Sequence, residues 1–170
     1  MLNFEEYVLI SSLTQMNTNI ENMAINEGIA SHIGKLAIIT SLLSPVAQAD
    51  MKNSSCDISN IQQIYNNYNT FQSKYKNVIT TANDIMDKNA GSDELEKLWD
   101  DIEDFQQKGK SLTTAIDNTI KNSKCNDKEI QNKLTDIKNS TIKAINTFEV
   151  GDNLTPEQKW TALTGEEFID

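Results

Sequence analysis

At 170 residues, with 38% hydrophobic and 24% charged side chains, the chain holds enough material for one folded unit and a short appendage. Its 15 basic residues are all lysine, and 25 acids bring the net charge to −10. That balance argues against a nucleic-acid partner, because phosphate binding needs an excess of cations and the bidentate grip of arginine is missing.

The first 22 residues contain "FEEYVLISSLTQM", in which Leu9, Leu13, Met16 and Ile20 fall on one helical face. Next comes "GKLAIITSLLSPVAQAD", Gly34 to Asp50, which is built like the end of a secretory signal. Lys35 gives the positive charge and Leu36 to Leu43 the apolar core. Pro45 breaks the helix, and Ala47 and Ala49 place small side chains before a cleavage point at Asp50. The apolar run falls short of the ~20 residues that a membrane anchor needs. Translation from Met23 makes residues 23–49 a signal peptide of ordinary length, with 1–22 an over-early start or an extra helix. Cleavage after Ala49 removes His32, the one histidine, together with four acids and one lysine, so that −10 becomes −7. In the alternative reading, residues 1–49 stay attached, as two further helices of a cytosolic protein or as a membrane anchor.

Beyond Asp57 the apolar residues recur every three or four positions. Ile58, Ile61, Tyr65, Tyr68, Tyr75, Ile79, Ala82 and Met86 form one line, widened by Ile64, Phe71, Val78 and Ile85. A stripe this broad predicts a helix, 57–88, packed on two neighbours. "DKNAGSDE" ends it with Gly91 as a C-cap, and Ser92 or Asp93 suits the N-cap of the next helix. Leu95, Leu98, Ile102, Phe105, Leu112, Ile116 and Thr119 predict that second helix over 92–123, with Gly109 on the stripe allowing close approach. Asn126 and Glu129 read as the cap and N3 of a third, 126–149, carrying Ile130, Leu134, Ile137, Thr141, Ala144 and Phe148. Short connections make neighbours antiparallel, so the fold class expected is all-α, an up-down-up three-helix bundle over 50–151.

Cys56 begins the first of these helices and Cys125 lies in the second connection, which an up-down-up bundle brings to the same end. A disulfide between them is expected, adding on the order of 4 kcal/mol in the chain-entropy model and requiring an oxidising compartment. In the tail, 152–170, Thr155, Pro156 and Gln158 form a capping-box signature for a helix from 156 to about 164, ending at Gly165. Trp160, Leu163 and Phe168 either fold back on the bundle or are offered to a partner.

Catalytic signatures are missing: no Gly-rich phosphate loop, nucleophile elbow or paired-cysteine zinc motif occurs. A processed chain without histidine has no Ser-His or Cys-His pair. The seven carboxylates of "SDELEKLWDDIEDF" put Glu96, Asp100 and Glu103 on one helical face. Such a face reads first as solvated acid favouring the helix N-terminus, then as a cation site, and last as a hydrolase pair. Lys121, Lys124 and Lys128 gather toward the opposite end. The expectation is an exported, non-enzymatic, periplasmic or extracellular bundle without metal or cofactor. It would bind another protein of the cell envelope as a secretion or pilus accessory, an immunity protein or a chaperone. The alternatives are a structural protein retaining 1–49 and an acidic-face hydrolase.

Overall fold

The computed structural model describes residues 4–23, 58–88, 91–122, 127–151, 153–165 and 167–168. Among them are five helices: α1 (Phe4–Met23), α2 (Ile58–Lys88), α3 (Ser92–Asn122), α4 (Lys128–Asn146) and α5 (Pro156–Thr164). The described residues form no strand.

Helices α2, α3 and α4 make the up-down-up bundle. Lys74 Nζ reaches Asp104 Oδ2 at 2.5 Å, and seven residues further along α2 Thr81 Oγ1 donates to Asp101 at 2.8 Å. Partners that descend along α3 while they ascend along α2 define an antiparallel pair. The same logic holds between α3 and α4, where Lys138 Nζ binds Asp117 at 2.7 Å and Gln106 Nε2 donates to the Ile145 carbonyl at 3.3 Å. Gly109 sits where all three meet. A Cβ there would collide with Ile145 Cγ2 and stand 2.9 Å from Phe71 Cε2, so its missing side chain sets the closeness of the crossing.

The core is aromatic at that level. Phe71 and Phe105 stack with centroids 4.5 Å apart, and Phe148 meets Phe105 edge-on at 5.4 Å. Such pairs add roughly 0.5–1.5 kcal/mol each beyond their area. Ile64, Val78, Ala82, Leu98, Leu112, Ile116, Leu134 and Ile137 are fully buried around them. Met86, expected on the core stripe, is instead 38% exposed. It lies two residues from the end of α2, at a level that α4, ending at Asn146, does not reach.

Helix ends follow local chemistry. Helix α3 begins at Ser92, so Gly91, rather than Ser92 or Asp93, takes the N-capping position and its carbonyl accepts from Leu95 N–H. The cap of α4 is Asp127 rather than Asn126: its carboxylate accepts from the Glu129 and Ile130 N–H groups at 2.8 and 3.2 Å. The helix ends at Asn146, three residues before the expected limit, and Thr147 and Phe148 turn out of it. At α5 the capping box of Thr155 and Gln158 forms in full, with Pro156 in the first turn and Gly165 closing it at φ 78°. Gly165 needs that left-handed conformation, which other residues resist.

Two further helices pack on these three, and α1 meets α4 over more of its length than α3 does. α5 lies on the N-terminal half of α3, where Trp99 Nε1 donates to the Pro156 carbonyl at 3.3 Å. α1 lies along α4 and touches α2. Ile10, Leu13, Met16, Ile20 and Met23 of α1 are buried, each transferring roughly 1.5–3 kcal/mol of apolar side chain from water before ordering costs. Residues 4–23 are therefore a helix of the same hydrophobic core. The segment between α1 and α2, which contains the signal-like stretch, lies outside the described residues.

Candidate functional site

The residues singled out for chemistry are not gathered by the fold. Ala47, Ala49, Asp50, Cys56 and Cys125 lie outside the described residues. The antiparallel register of α2 on α3, continued outward, brings Ile58 to the level of Asn122.

The tail folds back. Trp160 is 4% exposed, Leu163 and Phe168 are half-buried against the core, and the Trp160 and Phe168 rings meet edge-on at 6.4 Å. Lys159 stands 5.6 Å over the Trp99 ring. The three tail residues are thus packed side chains rather than an offered patch. Of the large apolar residues, Met86, Ile142 and Leu154 are exposed.

The acidic face of α3 is divided between two environments. Asp101 accepts from Thr81 and Asp104 pairs with Lys74, whose ammonium holds the Asp104 carboxyl below its usual range. Glu96, Asp100 and Glu103 point to solvent. Among the described residues, no three carboxylate, histidine or cysteine side chains come close enough to share a metal ion. Beside this face is an open cleft of about 570 Å³ between α3, the end of α4 and α5, lined by Trp99, Glu103, Gln106, Lys110, Asn146 and Lys159. Its walls carry both signs of charge and no nucleophile–base pair.

A more specific arrangement joins α1 to α2. The Tyr68 hydroxyl oxygen accepts from Asn19 Nδ2 at 2.9 Å and from Gln72 Nε2 at 2.6 Å. Burial pushes the Tyr68 phenol up to about 12, although both hydrogen bonds act in the opposite direction. Asn19 is itself buried, at 7% exposure, on the apolar face of α1. A carboxamide placed among Met16, Ile20 and Met23 is tolerated because its partner is fixed on the opposing helix. Lys138 and Ile145 mark the flank of α4 that faces α3. Ser140 of α4 is buried, on the flank away from Lys138.

Sequence reading places Tyr68 on a core stripe and leaves Asn19 without a role. The available signal is the position of Asn19, one residue from Ile20 on the face that also carries Met16 and Met23.

Comparison of the chain with protein families, with curated proteins and with solved structures yields no match. What the geometry defines is an all-α helical bundle, and no described helix is long and apolar enough to cross a membrane.

Proposed function

We propose that this protein is an exported, non-enzymatic helical bundle that docks another protein in the cell envelope. The observation that carries the reading is the sequence of 34–50, in which Lys35, the apolar run Leu36 to Leu43 and Pro45 precede Ala47 and Ala49. One helix covers an apolar face of the bundle and is joined to it through the stretch that bears the signal-cleavage pattern, Ala47, Ala49 and Asp50. Cleavage there separates α1 from the bundle and leaves a helix-sized apolar face on α4 and α2. Helix-in-groove binding uses such faces. The absence of catalytic motifs in the sequence and the mixed, unspecialised cleft beside α3 support a binding role over an enzymatic one.

A second reading has its own observation. The five buried side chains of α1 suit a protein that keeps residues 1–49 and uses α1 as permanent core. Photo-crosslinking in the native cell separates the two. With a photoreactive side chain in place of Ser140, the docking reading expects one crosslinked partner in the envelope fraction. Crosslinks only to the chain's own residues 4–23 contradict it.

A further inference from the structure

We infer that the groove between the first half of α2 and the middle of α3 is a binding site for a neutral saccharide, held by side-chain carboxamides. The groove is lined by α2 and α3 alone, so the inference stands apart from the export reading.

The sequence sets this face apart by its charge. In a chain of net charge −10, no acid occurs from Ile58 to Asn83 or from Phe105 to Ile116. Amides, hydroxyls and lysines take the polar positions instead. Antiparallel packing lays these two acid-free stretches side by side, and between them is an open groove of about 410 Å³.

Four carboxamides converge on it, Gln63 and Asn67 one turn apart on α2, and Gln107 and Asn118 from α3. Among the described residues, no hydrogen bond within the chain ties up these four amides, whereas Gln62 is paired with Asn66 and Gln72 with Tyr68 elsewhere on α2. Ser111 and Thr114 line the α3 wall, and their hydroxyls donate to the carbonyls of Gln107 at 3.0 Å and Lys110 at 2.9 Å. Their donors are spent, so each has acceptor lone pairs left for a ligand. Ala115, 7% exposed, is the small residue at the base of the groove.

This inventory excludes several ligand classes. An apolar ligand needs a mostly apolar lining, but seven of the eight lining side chains are polar. A metal ion or organic cation calls for carboxylates, and the lining has none. A polyanion calls for several cations, and Lys110 is the one cation on the lining. A neutral ligand dense in hydroxyls fits. Each carboxamide presents a donor beside an acceptor, the complement of two adjacent sugar hydroxyls, while Lys110 adds donors and Ser111 and Thr114 add acceptors. From Gln107 to Asn118 the lining runs about 16 Å along α3, room for a short oligosaccharide.

The test uses the whole chain, isotope-labelled, with its side-chain amide signals followed by NMR. Maltotriose, cellotriose and triacetylchitotriose are added in turn. The expected result is saturable shifts of the Gln63, Asn67, Gln107 and Asn118 amides with at least one of them, at a Kd of about 1 mM, the scale of a few exposed hydrogen bonds. Asn67→Asp and Gln107→Ala should each weaken that binding about fivefold, the worth of one such bond, with the backbone spectrum otherwise unchanged. No shift with any of the three sugars, at concentrations far above that Kd, overturns the site. Shifts that both variants leave unaltered overturn it as well. Equal shifts with triglycine assign the groove to peptide backbone and overturn the saccharide. A response confined to a heparin tetrasaccharide, fading as salt is raised, assigns it to anions and also overturns the proposal.

Discussion

Gly109 shows how much one missing methyl group decides. Alanine has the better helix propensity by roughly 1 kcal/mol, and on an exposed helix Gly109→Ala would stabilise. Here the added carbon meets Ile145 and Phe71 inside the packed crossing. Overpacking of this kind costs roughly 1–3 kcal/mol, so Gly109→Ala is expected to forfeit the propensity gain and destabilise by a net of up to ~2 kcal/mol in urea unfolding. Tyr68 sets a second residue-scale expectation. Its folded pKa of about 12 lies above the ordinary value of 10.0, so the unfolded chain loses the phenolic proton first. The stabilising contribution is complete below pH 10 and is lost as pH rises from 10 to 12. Tyr75, raised by burial as well, acts in the same direction. Alkaline unfolding followed by phenolate absorbance should show Tyr68 ionising with the loss of helix, and Tyr68→Phe should flatten that part of the stability profile. The Lys74–Asp104 pair lies on the surface and carries little stability of its own.

At the level of elements, what the sequence makes legible follows the strength of the local signal. The bounds of α2 and α3 agree with their apolar stripes to within a residue, because each stripe runs over many turns. The limits of α4 were less legible. Two adjacent residues, Asn126 and Asp127, both suit a cap, and only backbone geometry chooses the second. At the far end Phe148 reaches the aromatic core from a turn, so its apolar character prolongs the periodic pattern beyond the helix. The role of α1 was hidden for a different reason. Residues 4–23 do form an amphipathic segment, but packing against α4, more than 100 residues away in sequence, cannot be read from local periodicity. The Asn19–Tyr68 hydrogen bond is a long-range match of the same kind. The α5 capping box was fully legible, being contained in four consecutive residues. Thr155→Ala removes the acceptor for Gln158 N–H and should cost roughly 1 kcal/mol. The expected sign is a red shift of Trp160 fluorescence as α5 loosens from α3, with helical circular dichroism of the other four helices unchanged.

For the whole molecule, the antiparallel register unites several separate features. It carries the start of α2 and the end of α3 to one pole, and the Cys56–Cys125 disulfide expected from the sequence is open to a direct test. On the export proposal, neither thiol should react with maleimide until a reductant is added. Prompt labelling of both would oppose either the pairing or the oxidising compartment. The same arrangement sends the acids of early α3 toward the opposite pole from Lys121 and Lys128. The export proposal depends on one event, cleavage between Ala49 and Asp50. Intact mass measurement of the protein isolated from its native envelope tests that event most directly. The account predicts a chain of residues 50–170 beginning at Asp50, two mass units lighter than its reduced form. A chain beginning at Met1, with α1 still attached, would contradict it.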